Sequence, residues 1–348
     1  MSITVPETEI VATGWLRSRS FDMAMVVGLT MAAMAAGAVL AIQPVTFWLF
    51  FFVDSWFLGY PHVTSTFTRL IPDRAAVRRH WFLVFVLPLL VIAATTAVAV
   101  GIGVWAVATV YFYWQWFHTV RQGWGIAQLY RRKSGGLVRE NQTLAEALFY
   151  LVPLWGLLHR LTTAPDHFLV PAMTLAVPAI PVWLANGVGA VACLGLAWWV
   201  VERAREARAG ELAVLHTVFT ASHYLIFITG YIVMDDLAGG WIVTNIWHTS
   251  QYLMLVWMFN ENAAGAGGAY RKSVFWTLTG GNRPLFYFGF CFLAALPVYV
   301  VIAMLYGAAG NTTALIAAVV ANQTLNFHHF IVDAVIWRKK RQPAGTPA

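Results

Sequence analysis

The chain reads as an all-α, polytopic membrane bundle of about ten transmembrane helices with both termini cytoplasmic. Three observations predict it: the composition, the spacing of the apolar runs, and the side on which the cations fall. With 59% hydrophobic and 11% charged residues in 348 and a positive mean hydropathy, the sequence is far from a soluble domain, where roughly a quarter of residues are charged. A single integral-membrane domain over 1–348 is expected, with a cytoplasmic segment at 1–21 and a basic tail at 338–348.

A spanning helix needs ~20 apolar residues. Runs near that length fall at 22–42, 44–62, 81–101, 103–122, 144–161, 181–201, 212–234, 241–260, 284–306 and 312–337. The first follows acidic residues and the pair Arg17 and Arg19, and is long for a signal-peptide core, so it is expected to be a retained helix. The cations then settle the orientation, because Lys and Arg concentrate in cytoplasmic loops. Alternate connections carry Arg17 and Arg19, "RLIPDRAAVRRH", "RQGWGIAQLYRRKSGGLVRE", "ERAREARAGE", the 260–283 loop and "RKKRQ". The opposite connections hold Arg160 as the only one of 22 cations. Removing or adding one span would scatter these cations over both faces. The inner membrane of a bacterium is the expected location.

This distribution also explains the net charge of +7. Membrane-flanking cations face anionic headgroups, and no nucleic-acid partner is needed. Cys193 and Cys291 both lie inside predicted spans, which leaves neither a disulfide framework nor a thiolate metal site. The Pro-broken "HFLVPAMTLAVPAIP" on the outer side reads as an interfacial loop or a lid-like piece. His80, His159 and His167 fall at span ends or in loops and read as solvated.

Several spans carry polar residues on one face. Positions spaced 4-3-4 lie on a narrow stripe of a helix. Span four has Tyr111, Gln115, His118 and Gln122; span seven has His216, Thr220 and His223; span eight has Asn245, His248 and Tyr252, with Gln251 one position off. Span ten has Asn322, Asn326, His329 and Asp333, with His328 about 100° away on the same turn. Span two adds Asp54 and His62. A lone Asn or Gln in a span is ordinary interhelical glue. Ionisable residues there almost always face the bundle interior and mark a functional path. At ~1.5 Å of rise per residue, His62, His118, Gln122, His216, His328, His329 and Asp333 fall in the cytoplasmic half. Asp54, His223, His248 and Gln251 fall near the midplane.

Neutral imidazole is the commonest protein metal ligand, and with carboxylate or amide oxygen it suits iron, zinc, copper or manganese. The candidate metal ligands are His62, His118, His216, His223, His248, His328, His329 and Asp333; the candidate catalytic groups are Asp54, Gln122, Gln251 and Tyr252. This set exceeds one mononuclear site, so part of it is expected to orient the ligands instead. The spacing does not choose which part. A redox metal buried in a membrane bundle points to O2-dependent hydroxylation, desaturation or cleavage of an apolar lipid or isoprenoid. Non-haem iron, as one or two ions, is the expected cofactor, with copper, zinc or haem b as alternatives. The expected partners are bilayer lipid, an apolar small-molecule substrate and a cytoplasmic electron donor. The aromatic content carries little weight, since Trp and Tyr belts are common in membrane proteins.

The pattern resembles the histidine-rich integral-membrane iron enzymes, the fatty-acid desaturases and hydroxylases, and the resemblance implies a di-iron site at the cytoplasmic helix ends. Their HxxxH and HxxHH boxes are absent here; the adjacent pair His328–His329 and single histidines on other spans stand instead. "GYPHVTSTF" and "WHTSQY" also resemble the short His motifs of the bacterial membrane carotene-cleaving oxygenases, with His62 and His248 at matching places. Tyr252 stands where that family's WHxxxH pattern has its second His.

Two other classes use the same residues. His223 and His248, on consecutive antiparallel spans, would ligate a non-covalent haem axially, as in b-type cytochromes. A transporter would use Asp54, Asp333 and the histidines as a proton relay or cation path, but Pro61, Pro88, Pro153 and Pro297 do not fall at matching places in two halves. A structural or assembly role completes the set.

Overall fold

The structure, a computed structural model, describes residues 14–163, 167–168, 170–265, 271, 276–277, 283–308 and 310–337. The predicted tail at 338–348, most of the N-terminal segment and most of the 260–283 loop lie outside the described residues. Helix dominates the rest. We number the elements α1 (Arg19–Ile42), α2 (Phe47–Val53 continuing through Asp54–Gly59 into Tyr60–Leu70), α3 (Arg74–Arg79), α4 (Phe82–Gly101), α5 (Val104–Lys133) and α6 (Gln142–Leu161). A short ribbon follows, β1 (His167–Phe168) and β2 (Val170–Thr174), then α7 (Val182–Arg208), α8 (Val214–Ile228 with the turn Thr229–Val233), α9 (Leu237–Gly265), α10 (Pro284–Gly307) and α11 (Thr312–Ile336).

Six of these helices, α1, α4, α6, α7, α10 and α11, are long and apolar enough to cross a membrane. The other four sequence-predicted segments are helical too, in α2, α5, α8 and α9. Three of these carry the polar stripes of spans four, seven and eight, and α2 carries Asp54 and His62. Large apolar side chains such as Met31, Leu89, Leu194 and Leu285 are exposed on the long apolar helices. A water-soluble monomer rarely presents such patches, whereas lipid is a suitable solvent for them.

Local chemistry accounts for the helix ends and distortions. Asn141 caps α6 by accepting from the backbone N–H groups of Thr143 and Leu144 at 2.9 and 3.1 Å. Asn311 starts α11 the same way, at 2.8 Å from Thr313 and 3.4 Å from Ala314. Gly103, at φ +132°, separates α4 from α5 in a conformation that other residues avoid. Two π turns lie just upstream of prolines, Asp54–Gly59 before Pro61 and Phe82–Val86 before Pro88. Proline has no N–H to donate and its ring collides with the carbonyl four residues back, so the helix widens there. In the second turn Leu87 N–H bonds to Phe82 O, and the carbonyl of Leu83 loses its usual helical donor.

The described chain forms two compact units. The first comprises α1, α5 from Thr119 onward, α6, α7, α8 and α9 as far as Trp247. Its core joins Leu148 and Val152 of α6 to Ala192 and Trp199 of α7 and Tyr224 of α8. In the same unit a Cβ at Gly240 would overlap the carbonyl oxygen of Gly230, so these backbones meet with no room for a side chain. The second unit holds α2, α3, α4, α5 as far as His118, the ribbon, α9 from His248, α10 and α11. Its core includes Tyr60 stacked on Tyr299 at 3.6 Å, with Trp56, Ile302 and Leu325 packed around them. Part of the segment read as a lid or loop forms the ribbon, and Ala176 beyond it is tied to α5 by its N–H donating to Thr109 Oγ1 at 2.9 Å.

Candidate metal centre

Three ligand candidates of the second unit come from three different helices. His62 follows the π turn and Pro61 in α2, His118 lies on α5 and His329 on α11. All three rings are buried. Their Nε2 atoms converge: His62 Nε2 lies 2.8 Å from His329 Nε2, and His118 Nε2 lies 3.2 Å from it. One ligand nitrogen from each residue falls within 4.8 Å of the other two. Nitrogens bound to a tetrahedral ion at ~2.0–2.1 Å are about 3.4 Å apart, so the trio needs only small adjustments to hold one.

The surroundings of the trio are ordered and polar on one side. His329 Nδ1 is 2.7 Å from Thr66 Oγ1, which is 2.9 Å from the Tyr252 hydroxyl. Tyr252 donates to Asp333 Oδ1. Asp333 Oδ2 reaches to 4.0 Å from His118 Nε2. On another side Phe330 stacks on the His118 ring at 4.5 Å. The His248 ring stands 4.8 Å from His62 and 5.1 Å from His118, a fourth buried imidazole beside the trio. Gln251, on the turn that bears His248, is fully buried. Asp54, also fully buried, lies in the π turn of α2 and interacts with Tyr60 and Tyr111.

The remaining predicted ligands have other partners. His328 Nε2 donates to the Leu83 carbonyl at 2.8 Å, the group that the π turn before Pro88 leaves without its helical donor, and its ring stacks on Phe67. His223, in the first unit, lies flat on Phe149 at 3.6 Å and donates from Nε2 to the Phe149 carbonyl at 3.1 Å. That nitrogen is one the haem reading would have needed. His216 Nε2 sits 3.7 Å from Glu140 Oε1, in a buried cluster where Arg203 pairs with Glu140 at 3.1 Å and with Glu206 at 2.7 Å. Burial pushes the Glu140 carboxyl above its usual range, against the pull of Arg203 and Arg131. Gln122 is half-buried in the first unit.

Sequence reasoning passed over Thr66, the residue bonded to His329. Its signal was available: it lies four residues after His62 and therefore on the same helix face. Thr68, Asn260 and Tyr287 form a further buried set: Asn260 donates to Thr68 Oγ1 at 2.8 Å, and Thr68 Oγ1 is hydrogen-bonded to the Tyr287 hydroxyl at 3.0 Å.

Fold and site together define a helical membrane-type protein with a buried group of three imidazoles able to hold a metal ion. No protein-family model, no curated protein and no solved structure matches this chain.

Proposed function

We propose that this chain is an integral-membrane, metal-dependent oxidoreductase acting on an apolar lipid or isoprenoid substrate. The observation that carries the reading is the convergence of His62, His118 and His329 through Nε2, from three helices, at a buried position. Three bare imidazole nitrogens held together repel one another unless a proton or a cation sits among them. The donor set fits a divalent transition ion, and iron is the choice that suits O2 chemistry. Such an ion would supply redox chemistry with dioxygen as co-substrate. The chain's own part is to hold the ion through these three residues, with Asp333 and His248 at hand, and to keep the surroundings apolar through Phe330 and its neighbours.

The topology that accompanies this reading has ten crossings, both ends in the cytoplasm, in a bacterial inner membrane. It is supported by the one-sided distribution of cations and by the helical state of α2, α5, α8 and α9. An amphipathic character is expected of helices that line the interior of a bundle rather than face lipid. The electron donor would approach from the cytoplasmic side.

The test is elemental analysis of the full chain purified in detergent, alongside lipid extracts of cells with and without it. The reading expects ~1 transition-metal ion per chain and a lipid or isoprenoid species whose oxidation state depends on the protein. Purified wild-type protein that neither retains nor rebinds a transition metal would overturn it.

A further inference from the structure

We infer that a second polar layer, built around Asp54, Tyr111 and Tyr299, binds the hydroxyl group of the apolar substrate. The substrate is then an isoprenoid or fatty alcohol, held with its polar end about 10–12 Å from the metal trio. This deepens, and rests on, the reading of the trio as the place of oxidation.

The three helices that supply the trio supply this layer too. Asp54 stands eight residues before His62 in α2, Tyr111 seven before His118 in α5, and Asn322 seven before His329 in α11. Seven residues are close to two turns of an α-helix, so each pair shares a face, and the rise between its members is about 10–12 Å. The π turn Asp54–Gly59 takes up the extra residue in α2. Helix α10 contributes Tyr299, stacked on Tyr60 at 3.6 Å, and Tyr306, hydrogen-bonded to Asn322. Tyr111 interacts with Asp54, Tyr60, Tyr299 and Tyr306. All of these residues belong to the second unit. Phe330 joins the two layers, since its ring stacks on His118 at 4.5 Å and on Tyr111 at 6.3 Å. It offers an apolar surface along which a hydrocarbon chain fits.

One atom of the layer calls for a ligand. Tyr299 is 3% exposed, and its hydroxyl has no hydrogen-bond partner among the described residues. Buried side-chain polar atoms are mostly paired, and leaving one unpaired costs free energy. Asp54, fully buried in the same layer, brings a carboxyl group. A hydroxyl both donates and accepts, so it can pair with a phenol and a carboxyl oxygen together, whichever protonation state the acid holds. A hydrocarbon end satisfies neither group. An ammonium end suits the acid only when that is ionised, and a carboxylate end would set two acids side by side.

The test measures binding of tritiated geranylgeraniol and hexadecan-1-ol to the full chain in lipid nanodiscs, with empty nanodiscs as the blank. Saturable binding of at least one alcohol is expected, with the hydrocarbon of the same skeleton competing about tenfold more weakly or worse. Tyr299→Phe removes only the orphan hydroxyl. It should weaken alcohol binding about threefold to tenfold while thermal stability without alcohol and metal content stay at wild-type levels. A structural role for that hydroxyl would not give this pattern. Asp54→Asn, an isosteric change, should weaken binding as well. His62→Ala, expected to lack metal, should still bind the alcohol.

No saturable binding of either alcohol, or equal competition by the hydrocarbon, would overturn the hydroxyl site. Wild-type affinity in Tyr299→Phe would overturn it too, and leave that phenol facing a bound water only. So would a loss of stability in Tyr299→Phe without alcohol, because the hydroxyl would then have a partner in the chain. Wild-type protein that binds alcohol but no transition metal would overturn the metal reading and leave the hydroxyl site standing.

Discussion

His223 in the first unit and His329 in the second are equally inaccessible, at 0% and 1% exposure, and both sit on polar helix stripes. Their ring nitrogens do opposite things. His223 gives its Nε2 proton to a backbone carbonyl and lays its ring on Phe149. His329 turns Nε2 toward two other imidazoles and anchors its other nitrogen on Thr66. His216 also faces away from other imidazoles, with Nε2 3.7 Å from Glu140 Oε1. Burial of a histidine among helices therefore says little by itself, because a carbonyl, a carboxylate or an ion each relieves the cost of taking it out of water. What separates these residues is the group each ring nitrogen faces: a carbonyl for His223, other imidazoles for His329.

The comparison breaks most decisively on metal content. His62→Ala, His118→Ala and His329→Ala are each expected to purify without metal, whereas His216→Ala and His223→Ala retain it, as read by elemental analysis of matched preparations. Equal metal content in all five would mean that the trio differs in no way from His216 and His223.

Acid should act next. An imidazole ligates only when neutral, so a proton regained is a ligand lost. Lowering the pH from ~7 to below ~4, past the ordinary histidine range, is expected to release the ion, and affinity should fall with falling pH. Equilibrium dialysis across that range measures it. His223→Ala should leave the profile unchanged, since its ring plays no part in holding the ion.

A third expectation concerns the closed charge cluster of the first unit. Arg203→Met takes the paired cation from the buried Glu140 carboxyl and the half-buried Glu206 and should cost about 3–5 kcal/mol in unfolding followed in mixed micelles. Glu140→Gln should cost less, because burial already outweighs the arginines in setting the state of that carboxyl. Reversal of this order would show that the pair, rather than its burial, dominates.

The smallest effect separates two neighbours. His328→Ala strands the Leu83 carbonyl and should cost about 1–3 kcal/mol with metal content intact. Its neighbour His329→Ala should lose the metal. The two residues differ by ~100° around α11, and that rotation is what the pair of variants reads.

Much of the helical architecture was legible in the sequence, because apolar run length and cation placement are local properties. Asn141, Asn311 and the prolines mark helix starts and distortions by chemistry confined to a few residues. The candidate site was legible only as a pool. Stripes placed His118 and His329 on inward faces, but the same rule placed His216 and His223 there as well. Thr66 was missed because a threonine in an apolar span has a bland explanation in interhelical packing. His328 was ambiguous because its partner, the Leu83 carbonyl, exists only through a π turn in another helix.

By itself the sequence determined that this chain is built from long apolar helices with a set of histidines too costly to leave unpartnered. Those conclusions need only composition and the helical period. Which imidazoles meet was decided by tertiary structure alone, through the packing of α2, α5 and α11. The trio is separated by 56 and 211 residues along the chain. No local rule connects positions so far apart, and only side-chain packing between helices sets the few ångströms on which coordination depends.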